Sequence, residues 1–271
     1  MQYPFKRFII PLIFFLIINI SVTAQCNLKN TTFTAGETLK YTVYYNLQFI
    51  WLEVADIELA VRAINYKGKD CIKLISTWKT RPKYDWIMHV DDKYEAIIHN
   101  DSLIAYEYKQ NIIEGSYVSN VKYVYQHPQK MIYVWMDKNG KGKKYDSIPI
   151  NNCIFDLLTS ICYIRNLNYP SFYLNQKIHY STILSDKIYN LEIKYAGKES
   201  VKSGKGKPIN CHKIKPSIIE TEIFKGGNDI LTAWFSNDRN QLPIMAEAEL
   251  FIGSVKVIID SYQGLRYPAK Y

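Results

Sequence analysis

The chain has 271 residues, 48% of them apolar, and a formal net charge of +9. That is enough apolar material for one large domain or two small ones, and the positive balance suits contact with anionic lipid or lipopolysaccharide. Nucleic acid is not the expected partner, because the lysines are scattered and the start of the chain has the character of an export signal.

Residues 1–24 read as a signal peptide. Lys6 and Arg7 give a basic start, Phe8 to Ile20 is an almost unbroken apolar run, and Val22, Thr23 and Ala24 supply a cleavage region. The run is short for a membrane span, which needs about 20 apolar residues. Cleavage after Ala24 leaves a chain that starts at Gln25 and has no transmembrane span. A lipid anchor on Cys26 is the competing reading, but Gln25 stands where a lipoprotein signal needs a small residue. The expected location is therefore the periplasm or cell envelope.

Strand signals dominate from there on. Tyrosine occurs 23 times, and short Val-, Ile- and Thr-rich runs alternate with turn residues. The first half offers Tyr41–Tyr45, Trp51–Ala63 with a gap near Asp56, Cys71–Trp78, Trp86–Val90, Tyr94–His99, Leu103–Gln110, Tyr117–Tyr125 and Met131–Met136. Lys138 to Lys144 reads as an exposed basic turn. Asn151 or Asn152 can then cap a helix. Ile154, Leu157, Leu158, Ile161 and Ile164 form one apolar stripe on it, and Arg165 complements its dipole at the last turn. Strands resume at Lys177–Leu184, Tyr189–Tyr195, Cys211–Ile218, Ile230–Phe235, Pro243–Phe251 and Val255–Tyr262. Many strands joined by short turns mean antiparallel pairing.

The two sides of the helix resemble each other. Tyr41, Cys71, Leu103 and Gly115 recur at nearly the same spacing as Tyr180, Cys211, Leu242 and Gly253. The expected fold is mostly β: antiparallel curved sheets or a half-barrel in a single domain, 25–271. Two similar halves, 33–137 and 174–264, would be joined by the amphipathic helix at 153–166.

Several segments are similar to the domain of unknown function 3108 family. They are Phe33-Thr-Ala-Gly-Glu-Thr-Leu-Lys-Tyr41 with Ile50-Trp51, Val90-Asp-Asp-Lys-Tyr-Glu-Ala, Ile113-Glu-Gly-Ser-Tyr117 and Cys162-Tyr-Ile-Arg165. Gly197-Lys-Glu, Cys211, Ile214-Lys-Pro216, the block from Ala233 to Pro243 and Ile252-Gly-Ser-Val-Lys256 continue the match over nearly the whole exported chain. One departure is Val54-Ala55-Asp56, where relatives place an Ala-Gly pair at a bend or bulge. The resemblance implies an exported, Bacteroidetes-type, antiparallel β protein, and it carries no catalytic residues over. By analogy of fold it also points to half-barrels that carry lipids or lipoproteins.

Chemistry-bearing motifs are sparse. His89, Asp91, Asp92 and His99 are close in sequence, but they lack the converging ligands that a metal requires. Cys211 and His212 are adjacent, so on a strand they face opposite sides and make no nucleophile pair. Asp85 and Glu95 have no spacing that marks glycosidase carboxylates. Ser203-Gly-Lys-Gly-Lys207 lacks the strand-loop-helix setting of a phosphate cradle. Of the five cysteines, Cys26, Cys71, Cys153, Cys162 and Cys211, most are expected as buried free thiols. No catalytic, cofactor or metal set is read from the sequence. The remaining candidates are Trp51, Trp78, Trp86, Trp135 and Trp234, which core packing explains by default and which would line an apolar cavity if the sheet curls. Three functions compete: an amphiphile-binding envelope protein, a structural or protein-interaction module of the envelope, and an envelope-polymer hydrolase.

Overall fold

The computed structural model describes residues 28–47, 50–151, 153–204, 206, 208–219, 231–250, 252–269 and 271. Residues 1–24, expected as a signal peptide, and Cys26, Asn152, Lys205, Lys207, Ile230 and Phe251 lie outside the described residues.

Among the described residues the first eight strands are β1 (Thr38–Leu47), β2 (Ile50–Tyr66), β3 (Lys69–Thr80), β4 (Asp91–His99), β5 (Ala105–Glu114), β6 (Tyr117–Gln126), β7 (Met131–Lys138) and β8 (Lys143–Pro149). A short β9 (Ile154–Phe155) and helix α1 (Leu157–Arg165) follow. The chain ends in β10 (Lys177–Leu184), β11 (Lys187–Lys202), β12 (Pro208–Ile218), β13 (Leu231–Ser236), β14 (Pro243–Glu249) and β15 (Ser254–Gln263).

All fifteen strands belong to one sheet in the order β8-β7-β6-β5-β4-β3-β2-β1-β15-β14-β13-β12-β11-β10-β9. Each side of α1 is a meander, as alternating segments with short turns require. The meanders join where β1 pairs antiparallel with β15, from Thr38 opposite Gln263 to Asn46 opposite Ser254. The matched sequence positions fall on equivalent places: Tyr41 on β1 and Tyr180 on β10, Cys71 on β3 and Cys211 on β12, and Gly115 and Gly253 in the turns before β6 and β15.

The sheet curls without closing. β8 and β9 are its unpaired edges, yet the β7–β8 and β10–β11 turns meet through Lys144 Nζ and Asp186 Oδ2 at 2.6 Å. Five bulges or register shifts among the described strands assist the bend, since an extra residue increases local twist. They fall at Asp260 on β15, opposite the Lys40/Tyr41 step, at Val54 on β2, at Tyr106 on β5, after Tyr195 on β11 and at Ile244 on β14. The bulge at Val54 forms in Val54-Ala55-Asp56, without a glycine.

Alternation builds the inner face. Val61, Leu74, Ala96, Tyr108, Tyr123 and Val134 stand directly opposite one another across β2 to β7, and all are buried. The Tyr108 and Tyr123 rings stack 5.1 Å apart. A first apolar cluster runs through both meanders and takes in Leu158 and Cys162 of α1. A second gathers Ile164, Leu167, Tyr169, Ile193, Tyr195, Ile214, Ala233 and Phe235.

Helix α1 sits between these clusters, with six of its nine residues buried. The expected single stripe is therefore corrected: Leu157 and Ile161 are half-buried while Thr159, Ser160 and Arg165 are buried. Ile154 belongs to β9. The cap is Asp156, not exposed Asn151. Asp156 Oδ1 accepts from Thr159 N at 2.9 Å, and Thr159 Oγ1 accepts from Asp156 N at 2.8 Å. This is a reciprocal capping box that satisfies two backbone donors. Tyr125 Oη on β6 donates to Asp156 Oδ2, and Ser160 Oγ donates to Thr182 on β10, so the start of the helix is held from both meanders.

Its other end is fixed by charge. Arg165 forks onto Glu37 at 2.6 and 3.1 Å and donates to the Asn240 carbonyl at 3.1 Å, with the Phe33 ring 5.1 Å away. Both charged side chains are buried. Burial works against the Arg165 charge, but the Glu37 carboxylate outweighs it and leaves the guanidinium above its ordinary pKa. Arg165 thus ties the helix to the start of β1 and to the β13–β14 turn, beyond any interaction with the helix dipole.

Two further expectations are corrected. Trp86–Val90 forms no strand up to its last residue: Pro82 opens a 3-10 turn over Pro82–Tyr84, since proline's fixed φ suits such a start, and only Val90 makes an isolated bridge, to Glu114. The basic run 138–144 is not all turn, because Lys143 begins β8.

Candidate functional site

The five tryptophans do not converge. Trp78 is half-buried, donates from Nε1 to Ser76 Oγ at 2.8 Å and packs 5.5 Å from Tyr94. Trp234 is buried, with Nε1 on Glu199 at 3.1 Å and Lys213 Nζ over its ring. Trp135 alternates with the buried Val134 and Met136, so it faces the outside. Trp51 is exposed beneath Lys256 Nζ, 4.4 Å away, and Trp86 is 83% exposed.

Helix α1 and stacked aromatic side chains pack on the inner face of the curled sheet. A recess of about 470 Å³ has a mixed lining, with Ala35, Ala63, Ile64 and Cys71 beside Thr34, Asn65, Asp70 and Asn100. A second, of about 180 Å³, lies over Trp135, Lys109, Lys122 and Lys143. Neither is a long apolar cavity.

The polar candidates serve the fold. Asp92 is buried and accepts from Tyr94 Oη and Ile113 N. Asp91 pairs with Lys79, His89 Nδ1 lies 3.3 Å from Asp85, and His99 accepts from Asp101 N. Glu95 is held by Lys73 and Lys93. Among the described residues no three His, Cys, Asp or Glu side chains are grouped to hold a metal. Burial pushes the Cys211 thiol up to about 12, while His212, on the opposite face, is held below its usual pKa by burial and by Lys198 and contacts Tyr195 Oη at 3.1 Å. Cys71, Cys162 and Cys211 are free and buried, whereas Cys153 is disulfide-bonded. Burial also raises Asp156, to about 6, against the opposing hydrogen bonds from Thr159, Tyr125 and Leu158.

The unusual surface lies at one end of the sheet. Pairing puts the tips of five successive strand pairs there: the β14–β15 turn, the β1–β2 hairpin, the β3–β4 loop, the β5–β6 turn and the β7–β8 turn. Four of them point large apolar side chains at solvent. Leu250 and Ile252 are 49% and 64% exposed, Ile50 63%, and Ile87 and Met88, beside Trp86, 63% and 55%. Ile113, Tyr117 and Val118 continue the rim. The fifth tip carries exposed Lys138, Lys141, Lys143 and Lys144.

The rim is well braced. Tyr45 Oη donates to the Ile252 carbonyl at 2.8 Å. Gly115 N donates to His89 O, and Asn139 N to Val118 O, both at 2.7 Å. At Gly253, with φ +77°, a Cβ would stand 2.1 Å from Asn46 O, so only glycine lets the two tips approach this closely. Ile87 and Met88 N both donate to Tyr84 O. Large apolar residues exposed on neighbouring tips at one end make this the candidate contact surface. Sequence reasoning assigned the Trp86 loop to a strand and missed this rim; the available signal was three large apolar residues closely following a proline turn, without alternation.

Fold and surface together define a β-barrel-like protein, curled but open, with a helix inside and an apolar rim. The chain belongs to the family of proteins of unknown function DUF3108, which matches residues 40–260. Among solved structures it is similar to a β-barrel-like protein of domain of unknown function DUF1849 from Brucella abortus, with TM-score 0.54 and 7% identity over 86% of this chain and 98% of that one. A "putative lipoprotein" from Parabacteroides distasonis aligns at 10% identity over 88% of this chain and 100% of that one, with a TM-score of 0.34, too low to bear on the fold. No curated protein matches the chain. No helix among the described residues is long and apolar enough to cross a membrane.

Proposed function

We propose that this is an exported, non-enzymatic binding module of the cell envelope that docks through the rim formed by its strand-pair tips. The observation that carries the reading is the exposure of Ile50, Trp86, Ile87, Met88, Leu250 and Ile252 at one end of the sheet. Burying such side chains stabilises a contact by roughly 1.5–3 kcal/mol each when burial is complete. The apolar, basic-headed start of the sequence supports export to the periplasm or envelope.

Carriage of an amphiphile inside the sheet is the less favoured reading, because α1 occupies the interior. Envelope fractionation tests the docking. The native chain is expected to pellet with envelope material, and a Trp86→Ser/Met88→Ser variant to shift to the soluble fraction. Equal partition of the two chains would overturn the proposal.

A further inference from the structure

We infer that the rim seats in the surface of a lipid bilayer containing anionic lipid, an inference that rests on the docking reading above. Among the described residues its apolar side chains sit on separate tips. A fluid bilayer closes around separate fingers, whereas a protein partner must match each of them in shape. The side-chain types also fit that boundary. Trp86, Trp51 and Tyr117 join an apolar ring to a polar edge, the property that places Trp and Tyr at the membrane–water interface. Ile50, Ile87, Met88, Leu250 and Ile252 supply purely apolar contact beside them.

Backbone at the depth of the acyl boundary must already have its hydrogen bonds made. The β3–β4 tip meets much of this condition: Ile87 and Met88 N donate to Tyr84 O, and the carbonyls of Met88 and His89 accept from Thr80 Oγ1 and Gly115 N. Charge complements the apolar part. Lys138, Lys141, Lys143 and Lys144 crowd the neighbouring tip, with Lys144 partly neutralised by Asp186. Lysine stems lie along apolar surface while their ammonium groups reach phosphate level. Each basic residue near an anionic leaflet adds to the attraction, and salt screens it.

The test is co-sedimentation of the exported protein with vesicles of phosphatidylcholine alone or mixed with phosphatidylglycerol, at low and high salt. Binding is expected to be strongest to the mixed vesicles and to weaken as salt rises. Trp86→Ser/Met88→Ser should lower binding at least about tenfold, and Lys141→Glu/Lys143→Glu should lower it at low salt, with unchanged thermal unfolding in both. Absence of vesicle binding, equal binding to both vesicle types, or native-like binding by the first variant overturns the inference. If vesicles fail while envelope fractionation still depends on Trp86 and Met88, the partner is a protein and only the bilayer is lost. If fractionation is also indifferent to those residues, the docking reading falls as well.

Discussion

Replacing Arg165 with methionine should unravel the tie between helix and sheet. The change leaves the Glu37 carboxylate with 0% exposure and no counter-charge, and it removes the donor to the Asn240 carbonyl. Breaking a buried ion pair from one side costs about 3–5 kcal/mol, because the stranded charge keeps its full desolvation penalty. In a chain of this size that lowers the unfolding temperature by roughly 10 °C. Glu37→Gln should cost a similar amount by stranding the guanidinium. The double variant Glu37→Leu/Arg165→Met should recover most of the loss, since apolar replacement of both partners is often near neutral. Urea unfolding followed by tryptophan fluorescence gives all four corners of the cycle. A loss below 1 kcal/mol for Arg165→Met, or a double variant whose loss equals the sum of the singles, would refute the reasoning.

Asp156 should make stability depend on pH in the direction opposite to most carboxylates. Its folded pKa of about 6 lies above the ordinary 3.8, so its contribution is fully present below pH 3.8 and is lost as pH rises through about 6, on the order of 3 kcal/mol. Asp156→Asn keeps a capping oxygen and should gain stability relative to the native chain between pH 4 and 7; equal gains at both pH values would contradict this. Trp86→Ser should change unfolding by less than about 0.5 kcal/mol, whereas Trp234→Ala should cost about 3–5 kcal/mol, and matched urea curves would expose a reversal. Cys162 and Cys211 should resist a thiol reagent in the folded protein and react after unfolding, because burial disfavours both thiolates. Modification of either at native rates would contradict their placement.

Most of the sheet was legible in the sequence because strands such as β4, β6 and β7 alternate buried and open positions. The row from Val61 to Val134 takes one buried residue from each of β2 to β7, and the antiparallel order follows from the short turns. β8 was not legible, since nearly every residue of Lys-Lys-Tyr-Asp-Ser-Ile-Pro is exposed on this edge strand and no alternation arises. Asp156 as the cap was hidden by Ile154, whose apolar side chain extends the helical spacing while its backbone pairs in β9. Arg165 read only as a complement to the helix dipole, because its partner, Glu37, is distant in sequence and reaches it only in the folded sheet. The rim was obscured for a related reason: Ile50 and Ile252 look like strand residues, and only the strand order brings their tips to one end.

The central claim is that the protein works from its rim around a filled interior. Native mass spectrometry of the protein, purified gently from its own cells, tests it most directly. The expected result is the bare polypeptide mass, with no stoichiometric adduct surviving gentle activation. A discrete lipid-sized mass that stays bound and is stripped only by organic solvent would contradict it and return the ligand to the inside of the sheet.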